Sequence, residues 1–180
     1  MNKFILSFLI LFLNNAFSQK HLRVNEIAPK IHITDWILNT PKDKNLEGKF
    51  IVLEFWATTC KGCLEAVPHL NELQNKFNQS DLYFISITDE DVKDVIKTSK
   101  RIDFNSIVVS DKIKRTQIAY GNKEGNLVLP LTILIDNKGI IKWIGIPALL
   151  DDEVIEKLLN NTLISNNYVF IDLKSIMVLQ

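Results

Sequence analysis

Cysteine, histidine and net charge are all scarce in this 180-residue chain. It has two cysteines and three histidines, and its 21 basic residues balance 21 acidic ones. With two cysteines only, Cys60 and Cys63, no multi-bridge scaffold can be built, and neither thiol has another covalent partner in the chain. The absence of a basic stripe excludes a nucleic-acid partner. There is no acidic tail, low-complexity tract or internal repeat. The apolar run at the amino terminus, Phe4 to Leu13, falls short of the roughly 20 residues that cross a bilayer.

What is present begins with an address. Lys3 precedes that apolar run, and Ala16-Phe17-Ser18 ends it on a small-x-small pattern. This is the form of a secretory signal peptide over residues 1–18, cleaved after Ser18; the alternative is an uncleaved membrane anchor facing the periplasm. Export would place the cysteines where disulfides persist. The full chain is 47% hydrophobic and 23% charged, which fits one globular domain, placed over residues 19–163. Residues 164–180 form a C-terminal tail to which no structure is assigned. Tyr168 to Ile171 could be an edge strand there, but the domain is complete without it.

Periodicity predicts a short strand at Lys30–Thr34 and a strand from Phe50 to Trp56 that is apolar on both faces except at Glu54. A helix from about Cys60 to Phe77 follows, with Leu64, Val67, Leu70, Leu73 and Phe77 at helical spacing. Further on are a strand at 82–87, a helix over 89–100 with Val92, Val95 and Ile96 inward, a strand at 106–109 and a helix over 112–120. A hairpin turns at Asp136-Asn137-Lys138-Gly139, and a last helix spans 151–159. The order βαβαβαββα is that of an α/β layered domain with a mixed sheet.

Cys60-Lys61-Gly62-Cys63 therefore stands where a buried strand gives way to a helix. The loop a bridge would close is too small to staple a fold, so the pair points to redox chemistry. A metal site needs about four ligands. His69 is the nearest candidate third, and it lies on the opposite side of the helix from Cys60. His21 and His32 carry no readable signal.

Around the cysteines, in order, stand Ala28-Pro29, Leu46-Glu47-Gly48-Lys49, the run Phe55-Trp56-Ala57-Thr58-Thr59-Cys60-Lys61-Gly62-Cys63, Pro68, Pro130-Leu131-Thr132-Ile133-Leu134-Ile135-Asp136 and Asn137-Lys138-Gly139. On these residues the chain resembles the thioredoxin superfamily, and within it the exported TlpA/ResA-like thiol–disulfide oxidoreductases. The resemblance covers roughly residues 26 to 160. Two positions depart from it: Thr59 stands in place of an aromatic residue, and Gly62 in place of proline. The redox potential is open for that reason.

The resemblance implies a thioredoxin-like fold, a central mixed β-sheet flanked by helices with a short N-terminal extension. A helix start favours a thiolate, which makes Cys60 the attacking sulfur and Cys63, one turn in, the resolving one. Glu54 occupies the place of the superfamily's buried acid and is expected to have a raised pKa and to accept the Cys63 proton. The alternative is a carboxylate reaching solvent at the strand end. Pro130 is expected to follow a cis bond from Leu129 and to pack against the cysteines. Pro68 is expected to kink the helix, and Trp56 to pack beside the site. Asp89 and Glu90 lie near where the family places an acid by the active site, though helix capping explains them as well. Lys61 either favours the thiolate or is a solvated lysine.

No cofactor or metal is implied. The implied partners are protein disulfides or dithiols and a membrane electron donor of the CcdA or DsbD type, in the periplasm, with cytochrome c maturation as a destination. A membrane contact follows only if the N-terminal segment is uncleaved. Other readings compete. A peroxidase of the peroxiredoxin kind needs threonine where Ala57 stands. A metal-handling or redox-inert binding domain on the same fold is the non-enzymatic alternative.

Overall fold

The computed structural model describes residues 22–121 and 125–163; the expected signal peptide over residues 1–18, the possible strand Tyr168–Ile171 and the rest of residues 164–180 lie outside these. Six strands and four helices follow in the order β1 (Asp35–Leu38), β2 (Phe50–Phe55), α1 (Lys61–Lys76), β3 (Leu82–Thr88), α2 (Val92–Ser99), β4 (Ile107–Ser110), α3 (Arg115–Tyr120), β5 (Leu131–Ile135), β6 (Ile141–Gly145) and α4 (Asp152–Leu159). A 3-10 turn, Pro147–Leu149, precedes α4.

The strands form one mixed sheet in the order β1-β4-β3-β2-β5-β6. β2 and β3 are parallel, as are β3 and β4; the β1–β4, β2–β5 and β5–β6 pairs are antiparallel. This is the thioredoxin-like architecture expected. β2 sits inside the sheet with all six residues buried, which accounts for its unbroken apolar run. Its alternate side chains serve two cores. Phe50 and Val52 pack with Leu70 and Leu73 of α1, with Phe77 just after it, and with Val154, Ile155 and Leu158 of α4. Ile51, Leu53 and Phe55 pack on the other face with Ile85, Ile87, Ile133 and Tyr120 of α3, under the segment that carries Leu22, Val24, Ala28 and Ile31.

The β5–β6 hairpin forms as its sequence predicts. The Asp136 carboxylate accepts the N–H groups of Lys138 and Ile140, each at 2.9 Å, and Gly139 takes φ +77° to close the turn.

Four expectations are corrected. The strand at 30–34 does not form: His32 donates its N–H to Thr116 Oγ1 and accepts the Thr116 hydroxyl on its carbonyl, so this stretch is tied to α3. The first strand is β1 instead, at one edge of the sheet. α3 begins at Arg115 rather than Lys112, because Lys114 adopts φ +59° and the Asp111 carboxylate takes the Thr116 N–H. α2 begins at Val92 rather than Asp89, with Asp91 at its cap position. Ile96 is 42% exposed rather than inward.

Candidate active site

Cys60 is the N-cap of α1, and the residues after it enter the helix at once. Its sulfur accepts the Cys63 N–H at 3.2 Å, taking up one of the donors that a helix start leaves free. Cys60 and Cys63 are joined in a disulfide with Cα atoms 5.3 Å apart. Their surroundings differ. Cys63 is 3% exposed and packs with Trp56, Val67, Val95, Phe104 and Val108, whereas Cys60 is half-buried at the margin of that cluster. Trp56 lies against Phe104 at 4.9 Å between ring centroids, beside the pair. No acidic residue occupies the first turn, where it would counter a thiolate. Lys61 pairs with Glu65 at 3.6 Å with both side chains largely exposed, a contact of little weight. Pro68 lies within α1, which nevertheless runs on to Lys76.

Two distant segments meet the dithiol end of α1. The Leu129–Pro130 bond is cis, and Pro130 faces the first turn: a methyl group placed on Gly62 would lie 3.7 Å from its Cδ. Leu129 packs against the cluster that holds both cysteines. From the other side comes Glu90. Its carboxylate accepts the Thr58 N–H at 2.6 Å and the Thr58 hydroxyl at 2.8 Å, two residues before Cys60. Its own carbonyl accepts the Ser110 hydroxyl at 2.7 Å. Glu90 thus fixes the loop that carries Cys60 and does not cap α2. Asp89 turns away to Lys114, at 2.7 Å. The hydroxyl of Thr58 was the available sequence signal for the Glu90 contact, but nothing local links it to a residue 32 positions on.

Glu54 is 4% exposed, on the face of β2 that looks toward α1. In the antiparallel register with β5 it stands opposite Thr132, whose hydroxyl donates to Oε2; Oε1 is buried with no hydrogen-bond partner among the described residues. Burial pushes its carboxyl up to about 8, against the opposing pull of the Thr132 hydrogen bond. The carboxylate does not reach solvent at the strand end. His69 is not brought to the cysteines: its Nε2 lies 2.7 Å from the Leu150 carbonyl, on the far side of α1.

A mixed sheet, a dithiol pair at a helix start and a cis-proline facing it define a thioredoxin-like protein. The comparisons give its family. The AhpC/TSA family profile matches residues 24–144, and the chain belongs to that family. Among curated relatives, the thiol–disulfide oxidoreductase ResA of Bacillus cereus is 30% identical over 122 residues, covering 67% of this chain and 68% of the relative. The ResA of Geobacillus kaustophilus is 29% identical over 145 residues, 79% of this chain and 80% of the relative. Among solved structures, a putative thiol:disulfide interchange protein DsbE from Chlorobium tepidum matches 79% of this chain and 99% of its own. Its TM-score is 0.62 at 22% identity, which supports the fold alone. Site chemistry and relatives agree on the class, a thiol–disulfide oxidoreductase.

Proposed function

We propose that this protein is an exported oxidoreductase that reduces disulfides in other proteins, with Cys60 attacking and Cys63 resolving. The observation that supports this most strongly is the asymmetry of the pair: one sulfur lies half-buried at a helix start, and the other is enclosed in the core. In the reduced protein the free N–H groups of α1 favour a thiolate on Cys60. That thiolate attacks a substrate disulfide, forms a mixed disulfide and releases one substrate sulfur as thiolate. Cys63 then attacks the Cys60 sulfur, the second substrate thiolate leaves, and the Cys60–Cys63 bond closes.

The second step needs the Cys63 proton removed inside the core. Glu54 is the candidate acceptor, directly or through a water. It lies on the α1 side of the sheet, one of its oxygens is unengaged, and its pKa of about 8 suits exchange near neutral pH. Pro130 covers the pair and presents its flank to substrate. The basic, apolar and small-x-small pattern of residues 1–18 favours work in the periplasm after their removal, with residues 19–163 as the working domain and 164–180 as an appended tail. We place the protein in cytochrome c maturation, with recharging by a membrane carrier of the CcdA or DsbD type. Among the described residues no helix is long and apolar enough to cross a membrane.

The test is turnover of hydroxyethyl disulfide with dithiothreitol as reductant. Cys60→Ser should abolish it, and Cys63→Ser should trap a mixed disulfide visible as a mass increase. A Cys60→Ser variant as active as the wild type would overturn the assignment.

A further inference from the structure

Away from the cysteines, the segment 27–33 runs over the apolar face of the sheet and borders a cleft of about 800 Å³. The sheet contributes Ile51 and Ile135, both almost fully buried. Ile31, Ile33, Trp36 and Leu46 line the cleft half-buried, and Ile27, at 75%, is the most exposed large apolar side chain among the described residues. Trp36 belongs to β1 and Ile135 to β5, four strand spacings apart, on the order of 19 Å. The cleft is therefore long and apolar, and its volume is that of a small-molecule site.

Charge gathers at its margin. Lys30, Lys44 and Arg115 line the cleft with exposed side chains, and Glu47 is the one acid of the lining. None of the three cations pairs with a carboxylate among the described residues. Lys44 lies over the Trp36 ring, 5.9 Å from its centroid. Arg115 adjoins Thr116, which is bonded to His32, and so enters beside the segment that carries Lys30. The chain as a whole is neutral, so a margin of three cations and one carboxylate is a local excess. Polar groups of the walls are already engaged: the Tyr120 hydroxyl donates to the Pro29 carbonyl at 2.7 Å, and the His32 backbone bonds with Thr116 on both sides. What the cleft offers a ligand is an apolar surface with cations at its rim.

We propose that this cleft binds a single-chain amphiphile with an anionic head, a long-chain carboxylate, its tail along Ile31, Trp36 and Leu46 and its carboxylate among Lys30, Lys44 and Arg115. Burial holds the tail in proportion to its length. The ammonium and guanidinium groups hold the head by charge-assisted hydrogen bonds. The site takes no part in the thiol chemistry and does not rest on the dithiol reading.

The test is titration of the protein with 11-(dansylamino)undecanoate, followed by dansyl fluorescence, with dodecanoate as competitor. Binding should saturate at one site per chain, and dodecanoate should displace the probe. Hexanoate should compete at least about tenfold more weakly, having lost much of the tail. Methyl dodecanoate, which keeps the tail and loses the charge, should also be weaker by about tenfold. Arg115→Glu and Lys30→Glu, both surface changes, should each weaken the probe by a similar factor while turnover of hydroxyethyl disulfide stays at the wild-type rate. Cys60→Ser should bind the probe as the wild type does. Absence of saturable binding, or affinity that ignores the carboxylate and the two charge reversals, overturns the proposal and leaves the oxidoreductase reading standing. Dimerisation, or binding to phosphatidylglycerol vesicles, with no saturable uptake of the probe would give the cleft another occupant and overturns it equally.

Discussion

Along β2, Ile51, Leu53 and Phe55 project to one side of the sheet, and Phe50, Val52 and Glu54 to the other. The first side is uniformly apolar, and a cleft of about 800 Å³ lined by Trp36, Ile51 and Tyr120 opens over it, away from the cysteines. The second carries a buried carboxyl, the two sulfurs and the Trp56–Phe104 pair. The cleft and the reactive groups therefore lie on opposite faces of one strand. One strand serves as ballast on one face and as part of the reactive layer on the other, and the division falls between neighbouring residues.

The largest effect that would probe this contrast is on the inert face. Leu53→Ala should lower unfolding free energy by about 2–5 kcal/mol, because Leu53 is fully buried and the sheet around it cannot collapse onto the gap. The rate per folded molecule should stay near that of the wild type. Denaturant unfolding and initial rates check this, and a rate that falls with stability intact would erase the distinction between the faces.

On the reactive face the sign is reversed. Glu54 binds its proton more tightly folded than unfolded, with a pKa of about 8 against an ordinary 4.5. Stability is therefore greatest below the lower value and falls as pH rises through the window between them. Glu54→Gln should flatten that slope and raise stability at pH 8 to 9, by a few kcal/mol at most, as thermal unfolding across pH would show. The same variant should slow resolution of the mixed disulfide by about a hundredfold and remove its rise through pH 8. A wild type whose stability does not depend on pH between 5 and 8 would mean that Glu54 is ionised in the fold.

The smallest effect tests the loop before the pair. Glu90→Gln keeps one acceptor for Thr58 but loses the charge that strengthens both bonds, and should cost about 1 kcal/mol of stability. Because Thr58 precedes Cys60 by two residues, the pH dependence of Cys60 alkylation should move as well; stability loss with an unmoved alkylation profile would make Glu90 structural only.

Legibility followed the range of the interactions. β2, α1 and the β5–β6 hairpin were readable because apolar spacing, a cap and an Asx turn act within a few residues. The stretch 30–34 has a strand's alternation yet pairs with Thr116, 84 positions from His32. β1 has no alternation to read, since all four of its residues are half-buried at a sheet edge. Asp89 and Glu90 looked alike as helix-start acids; contacts with Lys114 and Thr58 separate them.

That two thiols stand at the start of a helix behind a buried strand follows from neighbouring residues, because helical spacing and strand burial are local patterns. What surrounds the thiols comes from the way the strands are assembled. Thr132 meets Glu54 through the β2–β5 register, Pro130 meets Gly62 where β5 begins, and Glu90 meets Thr58 at the end of β3. Each of these contacts joins residues far apart along the chain, and strand order and register, not local pattern, bring them within bonding distance.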